Sequence, residues 1–326
     1  MGERILVTGV TGFIGSHLVR ELVRMKRYSV FGLMRYTTNR NPRILDEFLK
    51  GAEPVICDIT DYHSIKNTIK RVNPDVIVHL AALSPVRDSF EKPFAYVNTN
   101  IVGTMNIAYS MLELPNFKQR KLVYASTAEV YGIQEKYPTR EDSILNPSSP
   151  YANTKAMTDV QLRMMARVYG LNVTLMRCTN SYGRKIDTSF FIEYLVTTML
   201  KKEKVYIGAP DSLRDYMYVS DHVNAYIKAI EKKEVSGEAF NASTENMISN
   251  KDVAYKIADL MGFDKKNIIL GKYPPDYPTR PIESDQPFIH LDSTKIRRAL
   301  GWRPETGLDR GLKITIDLWK KSMNKN

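Results

Sequence analysis

Blocks of hydrophobic and polar residues alternate along the first half of the chain and predict strands and helices in turn. Short apolar runs predict strands, and the first run, Ile5 to Thr8, leads into a glycine-rich turn. Apolar residues at helical spacing follow that turn, as at Leu18 and Leu22, and predict a helix. In chain order, the predicted strands are 5–8, 29–34, 54–56, 75–80, 121–126 and 172–177, and the predicted helices are 17–25, 65–72, 98–114, 149–169 and 219–230.

The turn after the first strand contains three glycines in the spacing Gly-x-x-Gly-x-x-Gly. Gly9 permits the tight turn, Gly12 lets the backbone approach a pyrophosphate, and Gly15 permits close packing of the helix. The start of that helix, at Phe13 and Ile14, offers unpaired N–H groups and the positive end of the helix dipole to phosphates. This order of strand, turn and helix predicts a Rossmann domain that binds a nicotinamide dinucleotide.

Strands that alternate with helices predict right-handed βαβ units and therefore a parallel sheet. The run 75–80 is continuously hydrophobic, as expected of a strand buried on both faces. The alternation loosens after residue 177, although 219–230 predicts a helix that returns to the first domain. We therefore expect an α/β fold: a Rossmann doubly wound parallel sheet with a smaller, discontinuous C-terminal substrate domain. The expected boundaries are 1–177 plus 216–240 for the dinucleotide-binding domain and 178–215 plus 241–326 for the substrate-binding cap.

The composition narrows the range of partners. The 326 residues carry a formal net charge of +11 that is spread along the chain, so we expect a polyphosphate ligand and no nucleic acid. Cys57 and Cys178 lie far apart and outside any Cys/His cluster, which predicts free thiols and no metal site. No apolar run approaches the roughly 20 residues that cross a membrane, and the N-terminus lacks a signal peptide pattern. A cytoplasmic protein without a membrane partner is expected.

The glycine spacing resembles the extended short-chain dehydrogenase/reductase superfamily, specifically its NAD-dependent epimerase/dehydratase family. The resemblance continues in register through Asp58, Leu80-Ala81-Ala82, Asn100-Ile101-Val102-Gly103-Thr104, Ser126 and Tyr151-Ala152-Asn153-Thr154-Lys155. It implies an enzyme that acts on nucleotide sugars with a bound dinucleotide. The cofactor-binding residues that it implies are Gly9, Gly12, Phe13, Ile14, Gly15, Arg35, Asp58, Ile59, Leu80, Ala81, Ala82, Asn100, Tyr151 and Lys155.

The end of the second predicted strand bears on the choice between NAD and NADP. A carboxylate there would bind the ribose hydroxyls of NAD, whereas an arginine would favour the 2′-phosphate of NADP. The chain has Arg35 at this place, with Arg40 close by and no acid. A guanidinium suits a phosphate in charge and in geometry. NADP is therefore favoured and NAD remains possible.

Tyr151 and Lys155 are four residues apart on a predicted helix and so share one face. A tyrosine titrates near pH 10, and an adjacent ammonium and a positive nicotinamide ring would both lower its pKa. Tyr151 could then take a proton from a sugar hydroxyl while hydride moves to the cofactor. Either Ser126 or Thr127, at the end of the fifth predicted strand, would hold the same hydroxyl.

The segment Ser126-Thr127-Ala128-Glu129-Val130-Tyr131-Gly132 resembles a loop of nucleotide-sugar 4,6-dehydratases and of UDP-glucuronate decarboxylases. In dehydratases the glutamate removes the C5 proton of a 4-keto sugar, and Glu129 matches that base. Ala128 replaces the aspartate of dTDP-glucose enzymes, an aspartate that GDP-mannose enzymes also lack. The segments 35–44 and 81–90 resemble GDP-mannose 4,6-dehydratase. The prediction is therefore a 4,6-dehydratase for GDP-mannose or a similar nucleotide sugar.

Other functions stay open at this point. A 4-epimerase of the UDP-glucose/galactose type needs only Tyr151, Lys155, a hydroxyl from Ser126 or Thr127, and room for the sugar to rotate. The C-terminal part is short for a GDP-mannose dehydratase, and no arginine-rich loop follows Gly183. A reductase, a decarboxylase and a non-catalytic dinucleotide-binding regulator are the remaining alternatives.

Further motifs indicate the substrate site and the assembly. By resemblance, Asn180 contacts the sugar diphosphate, Arg214 pairs with it, and Arg280 lies where a second arginine usually sits. Ser84 and Arg87 are candidates for contacts with the sugar. The resemblance also implies a homodimer in which helices 98–114 and 151–169 of two copies form a four-helix bundle.

Overall fold

The computed structural model describes residues 2–35, 50–184, 187–274, 281 and 284–323. The strands in this part of the chain are β1 (Glu3–Thr8), β2 (Tyr28–Met34), β3 (Glu53–Ile56), β4 (Val76–His79), β5 (Lys121–Ala125), β6 (Val173–Cys178), β7 (Asn180–Tyr182), β8 (Val205–Ile207), β9 (Leu213–Tyr218), β10 (Glu238–Ala242), β11 (Met247–Ser249) and β12 (Ile268–Leu270). All six predicted strands are confirmed, within one or two residues at their ends.

The helices of the same residues are α1 (Phe13–Arg24), α2 (Tyr62–Val72), α3 (Val86–Glu91), α4 (Pro93–Tyr96), α5 (Gly103–Leu112), α6 (Pro150–Tyr169), α7 (Phe191–Leu200), α8 (Val219–Glu231), α9 (Asn250–Met261), α10 (Thr294–Leu300) and α11 (Leu308–Met323). Local signals set the ends of α6: the Ser149 side chain accepts from the N–H of Ala152, and Gly170 ends the helix in the left-handed conformation. Sequence and structure therefore agree on where this long helix begins and ends.

Seven parallel strands form the main sheet, in the order β10–β6–β5–β4–β1–β2–β3. The strand order runs outward from β1 in both directions, which is the doubly wound arrangement. The predicted α/β Rossmann fold is thereby confirmed. The seventh strand, β10, comes from the part of the chain where the hydrophobic pattern predicts no strand.

Successive residues of β1 supply two separate cores. Ile5 and Val7 face the core that contains α1 and α8, whereas Leu6 faces the core that contains α2 and α5. Side chains alternate between the faces of a strand, so a sheet covered by helices on both faces needs apolar residues at every position. All four residues of β4 are buried, as the continuous apolar run 75–80 predicts.

Two smaller sheets lie outside the main one. In the first, β9 pairs antiparallel with β11 and parallel with β7, and in the second β8 pairs parallel with β12. Helices α7, α9 and α11 pack against one another beside them. The helix α8 packs on α1 and β10 joins the main sheet, so chain from beyond residue 177 returns to the Rossmann layers.

One predicted helix differs in form. The pattern predicts a single helix over 98–114, but the chain forms a π-helical segment, Val97–Val102, followed by α5. A π turn contains one residue more than an α turn, a change that periodicity over a short window does not reveal. The wider turn places Asn100 in the protein interior, where it is 1% exposed.

Three further observations concern the cysteines, membrane-spanning helices and metal-binding clusters. Cys57 and Cys178 are both buried free thiols. No helix in the described ranges is long and apolar enough to cross a bilayer. Among the side chains that the structure describes, no three His, Cys, Asp or Glu residues are grouped so that they could hold a metal ion.

Candidate active site

The glycine turn leaves an open backbone surface at the start of α1. Gly9 has φ +72°, and a Cβ atom on it would lie 2.7 Å from the Ala81 nitrogen. A Cβ on Gly15 would lie 2.2 Å from the Gly9 oxygen, so α1 could not pack against the turn. A Cβ on Gly12 would meet only that oxygen, at 3.1 Å, and would otherwise point into open space. The tight turn at Gly9 and the close packing at Gly15 thus agree with the sequence prediction, and the approach of Gly12 to a pyrophosphate stays a prediction.

This end of α1 also has the electrostatics of an anion site. Its N-cap is Gly12, which supplies no side-chain cap, and its first turn contains no acidic residue. The first N–H groups of the helix, which begins at Phe13, therefore stay available to an anion, together with the positive end of the dipole. The glycine cradle and these donors fit the pyrophosphate of a dinucleotide.

A buried hydrogen-bond network fixes the end of β4 against the turn. The Thr8 hydroxyl accepts from the backbone N–H groups of Leu80 and Ala81, at 3.2 and 3.1 Å. It also bonds to Nδ1 of His79 at 2.7 Å, and Nε2 of His79 bonds to the Thr104 hydroxyl at 2.9 Å. Burial lowers the pKa of His79 to about 3, and the imidazole is therefore neutral. Leu80 and Ala81 are thus held beside the phosphate cradle.

Asn100 connects this region to the helix α6. Its side-chain oxygen accepts from the N–H of Leu83 at 2.9 Å, and its Nδ2 donates to the Leu83 carbonyl and to the Thr154 hydroxyl at 3.0 Å each. The amide thus holds the segment after β4 against the helix that carries Tyr151. Its direct contact with the cofactor stays a prediction.

The remaining predicted cofactor residues lie at the ends of β2 and β3. Arg35 is exposed immediately after β2, and the Tyr36–Thr38 segment and Arg40 lie outside the described residues. Asp58 is exposed, and one of its oxygens accepts from the N–H and the hydroxyl of Thr60. Ile59 is buried against Gly103, where a Cβ would come within 2.7 Å of its Cδ1. Ile59 thus packs α5 against the strand end.

The catalytic candidates Tyr151 and Lys155 lie in the first two turns of α6. Lys155 is 4% exposed, donates to the Ala125 carbonyl at 2.5 Å, and lies over the Tyr124 ring at 4.7 Å. Burial lowers the pKa of Lys155 to about 7, and the negative charge of Asp159 opposes that shift. The ammonium and neutral forms of Lys155 are therefore close in free energy near neutral pH.

The pKa of Tyr151 shifts in the direction opposite to the one that the sequence predicts. Burial raises the pKa of Tyr151 above its usual value, Glu129 raises it further, and a hydrogen bond with Thr127 acts in the opposite direction. The net shift of this pKa is therefore upward, opposite in direction to the predicted lowering. The physical reason is that burial penalises the phenolate, while the Lys155 ammonium is directed toward the Ala125 carbonyl.

The structure separates the two hydroxyl candidates at the end of β5. The Ser126 hydroxyl donates to Asp159 at 3.0 Å, and both groups are buried. The Thr127 hydroxyl accepts from the N–H of Glu129 at 3.3 Å and is hydrogen-bonded to Tyr151. Thr127, and not Ser126, is therefore brought to the phenol.

Glu129 lies in a short 3₁₀ turn, Ala128–Tyr131, which Thr127 caps. Its half-buried carboxylate is close enough to Tyr151 to raise the pKa of the phenol. Ala128 is 2% exposed and belongs to an apolar cluster with Val130, Tyr131, Ala156, Ile289 and Leu291. The position that is acidic in dTDP-glucose dehydratases is therefore part of the packing here, and Glu129 is the carboxylate of this turn.

A cavity of about 320 Å³ brings together three of the predicted substrate residues, Arg87, Asn180 and Arg214. Aromatic side chains that the motifs do not identify also line it: Phe190, Phe191, Tyr194, Tyr206, Tyr216 and Tyr273. Composition gives no signal for them, because ten of the 19 tyrosines lie before residue 177 and nine lie after it. Ser84 is exposed and is not part of this lining, and Arg280 lies outside the described residues.

Comparisons with known proteins agree with this geometry. A family profile described as GDP-mannose 4,6 dehydratase matches residues 6–315. The chain is 31% identical over 345 aligned residues to dTDP-glucose 4,6-dehydratase 1 of Escherichia coli K12, covering 99% of this chain and 94% of that protein.

Two solved structures match almost the whole chain. UDP-glucose 4-epimerase of Thermotoga maritima, with UDP-glucose, is 29% identical with a TM-score of 0.87, covering 98% of this chain and 99% of that one. dTDP-glucose 4,6-dehydratase of Streptomyces venezuelae, with NAD and TYD bound, is 27% identical with a TM-score of 0.87, covering 99% of this chain and 98% of that one.

The Rossmann sheet, the glycine cradle and the Tyr151–Lys155 pair define an enzyme of the extended short-chain dehydrogenase/reductase class. Within that class, the chain belongs to the NAD-dependent epimerase/dehydratase family, and the family profile that it matches is that of GDP-mannose 4,6-dehydratase. The resemblance seen in the sequence motifs is thereby confirmed.

Proposed function

We propose that the protein is a nucleoside-diphosphate-sugar 4,6-dehydratase. The observation that carries this proposal is the position of Glu129, a carboxylate in electrostatic contact with Tyr151 on a turn that Thr127 caps. Oxidation at C4 needs the tyrosine, the lysine and a hydroxyl group. These groups leave the Glu129 carboxylate beside Tyr151 without a role. A second proton transfer, from C5 of the sugar, would give it one.

The residues of this chain divide the proton transfers between them. Thr127 holds the C4 hydroxyl and Tyr151 takes its proton, while the Lys155 ammonium stabilises the phenolate that precedes this transfer. A bound NAD(P) would supply the hydride acceptor, and its positive ring would lower the pKa of Tyr151 against the effect of burial. Glu129 then removes the C5 proton, which the new C4 carbonyl has made acidic.

Loss of water also requires an acid for the departing C6 hydroxyl. With Ala128 in an apolar cluster, the turn offers one carboxyl group. We propose that Glu129 serves twice: the proton that it takes from C5 is the one that it gives to the C6 oxygen. Proton removal and water loss would then proceed through a single group. The hydride held by the dinucleotide would return to C6, and a proton from solvent would add at C5, so that the cofactor ends the turnover oxidised.

The second candidate is a 4-epimerase, and the observation that favours it is the apolar position of Ala128. Without a separate acid, the site contains all that oxidation and reduction at C4 require. Glu129 would then have a structural role. A UDP-glucose 4-epimerase and a dTDP-glucose 4,6-dehydratase both match this fold, which supports keeping the two reactions as candidates.

We propose that the substrate is a hexose linked to a nucleoside diphosphate, GDP-mannose or a similar sugar. Arg214 and Asn180 would bind the diphosphate in the 320 Å³ cavity, Arg87 would reach the sugar, and the aromatic residues would contact the nucleoside. The choice between GDP-mannose and dTDP-glucose depends on the base, which these contacts leave open.

For the cofactor, we propose NADP, on the basis of exposed Arg35 directly after β2. The related dehydratase of Streptomyces venezuelae has NAD bound, so NAD is the alternative. Binding titrations with both dinucleotides would decide: Arg35→Gln should weaken NADP at least tenfold and leave NAD unchanged. Equal losses for the two cofactors would contradict the proposal.

We also propose a homodimer through the α4–α6 surface. This surface consists of the exposed apolar residues of α4, of residues 97–112 and of α6, which carry eight of the 14 large apolar side chains that are exposed in the described part of the chain. Its members are Phe94 (85% exposed), Val97, Val102, Tyr109, Met157, Val160, Val168 and Tyr169. An apolar surface of this kind marks an interface.

Incubation with a panel of nucleoside-diphosphate sugars, followed by mass analysis, tests the reaction. Loss of one water supports the dehydratase, whereas an isomer of equal mass supports the epimerase. In deuterated water the dehydratase should also place deuterium at C5, because the proton taken from C5 leaves with the water and C5 is protonated again from solvent.

The variant Glu129→Gln makes the test specific to one group. It should still reduce the bound cofactor but lose at least about 100-fold in water elimination and in deuterium incorporation. Glu135→Gln, an exposed glutamate six residues along the chain, is the matched control and should retain full activity. Full elimination by Glu129→Gln would sink the dehydratase assignment.

A further inference from the structure

A buried ion pair lies beneath the segment that carries Thr127 and Glu129. Arg177, on β6, donates from Nε and Nη2 to the two oxygens of Asp159, on α6, at 2.9 and 2.8 Å. Both side chains are 0% exposed. This two-point arrangement fixes the carboxylate in orientation as well as in position.

The ion pair binds both ends of the segment 126–131. At its start, the Ser126 hydroxyl donates to Asp159 at 3.0 Å. At its end, the Tyr131 hydroxyl accepts from Nη1 of Arg177 at 2.7 Å, and the same hydroxyl donates to Asn241 on β10 at 2.6 Å. Thr127 and Glu129 lie between these two anchored residues.

Asp159 also lies one helical turn after Lys155, on the same face of α6. Its negative charge favours the ammonium form of Lys155, which burial disfavours. Other groups near Lys155 are the phenol of Tyr151, one turn earlier on α6, the Tyr124 ring on β5 and the neutral His79 on β4. Asp159 is therefore the anionic group that supports the charge of Lys155.

We infer that the Asp159–Arg177 pair is a positioning device of the active site: it anchors both ends of the segment that carries Thr127 and Glu129, and it keeps Lys155 charged. Stability alone does not explain the pair, because a buried ion pair contributes about as much as apolar residues of the same volume. The inference rests on the proposed roles of Tyr151, Lys155 and Glu129, and it applies equally to a dehydratase and an epimerase. It makes Ser126 and Tyr131 positioning residues, not catalytic ones.

The first test removes the two anchors and keeps the ion pair. The double variant Ser126→Ala/Tyr131→Phe should lower kcat 10-fold to 100-fold and leave the KM for the nucleotide sugar within about twofold, because the residues that line the substrate cavity are unchanged. Ser110→Ala removes another buried hydroxyl, on α5, and is the control that should retain wild-type kcat. An unchanged kcat in the double variant would overturn the anchoring role.

The second test needs no substrate. NMR titration of the lysine side chains should place the midpoint for Lys155 near pH 7 in the unaltered protein and at least about one pH unit lower in Asp159→Asn. Since that change leaves Arg177 buried without a counterion, Asp159→Asn/Arg177→Gln is the second variant and should show the same direction. An unmoved midpoint would overturn the charge role.

Failure of the proposed function is recognised separately. If the wild-type protein reduces no cofactor with any nucleotide sugar, the proposed reaction fails. Amide hydrogen exchange of the segment 126–131 then tests the anchoring without turnover. Faster exchange in Ser126→Ala/Tyr131→Phe than in Ser110→Ala supports it, and equal exchange in the two variants rejects it.

Discussion

Burial sets the protonation of several single side chains near the site. It lowers the pKa of Lys155 to about 7, and it lowers the pKa of His79 and of His222 to about 3 each. For His222 the positive charge of Arg184 adds to the effect of burial. These histidines therefore stay neutral in the fold at pH values where an exposed histidine is charged.

Acid should destabilise the protein through these histidines. As the pH falls below about 6.5, the unfolded chain binds a proton at each histidine, whereas the folded chain does so only near pH 3. The free energy of unfolding should thus fall by about 2–3 kcal/mol per histidine between pH 7 and pH 4.5. Urea unfolding at both pH values measures this loss. The variant His79→Asn should show a smaller loss between the two pH values than the unaltered protein. His63→Gln, at an exposed histidine, is the control and should show the same loss as the unaltered protein. An equal loss in the two variants would contradict the role of buried His79.

Helical spacing together with the family resemblance predicted Tyr151 and Lys155, and the resemblance of its turn predicted Glu129. The motifs could not separate Ser126 from Thr127, since the Ser126 hydroxyl is directed by Asp159, 33 residues further along the chain. Asp159 was missed because its partner Arg177 lies on a different strand, 18 residues further along the chain, and no motif links the two. Pairs of buried residues that are distant in sequence are set by packing, which one sequence does not display.

At the level of the element, the glycine turn and α1 act as one unit. Gly15 permits contact between helix and turn, whereas Gly12 faces the open space in which a pyrophosphate fits. The glycines of this turn therefore serve two purposes: Gly15 allows close packing, and Gly12 leaves space for a ligand. The two glycines should respond differently to the addition of one methyl group.

Gly15→Ala should destabilise the fold by about 2 kcal/mol or more, because the new Cβ would lie 2.2 Å from the Gly9 oxygen. Gly12→Ala should keep the wild-type melting temperature within a few degrees yet bind dinucleotide at least about tenfold more weakly. Thermal unfolding by circular dichroism and calorimetric titration with NADP measure the two effects. The reverse order, with Gly12→Ala the less stable variant, would contradict this division of roles.

Most elements of the first half could be predicted from the sequence, because most strands and helices there carry a strong hydrophobic pattern; the short helices α3 and α4 were missed. The short strands β7, β8, β11 and β12, of three residues each, give no such signal. Their pairing joins distant parts of the chain, as β12 with β8 does. Contacts of this kind are tertiary and leave little trace in local pattern.

In the molecule as a whole, the seven-stranded sheet places the cradle, Tyr151 and the end of β4 at one edge. This is the carboxyl edge of the parallel strands, where ligands bind in open α/β sheets. The sequence predicts a doubly wound parallel sheet, and the observed strand order has that form. The α4–α6 surface lies on the helices that carry Asn100 and Tyr151, so association would bear directly on the site.

Val160→Glu should convert the proposed dimer into a monomer. Val160 is 57% exposed on the α4–α6 surface, and a carboxylate at this position would lose its hydration when two copies associate. Light scattering coupled to size exclusion measures the mass. Ile144→Glu is the matched control, since Ile144 is 79% exposed but lies outside this surface. Should the wild-type protein run as a monomer, or Val160→Glu as a dimer, the proposed interface would be wrong.

The π-helical segment Val97–Val102 has a consequence for insertions and deletions in this protein and its relatives. The segment holds one residue more than an α turn would, and it absorbs that residue without turning the helix that follows. Deletion of a single residue there should restore the α repeat and keep α5 in place. Insertion of a second extra residue should instead turn α5 by about 100°, and Ile107 and Met111 would leave the core although no residue of α5 had changed. The segment should therefore tolerate a deletion better than an insertion.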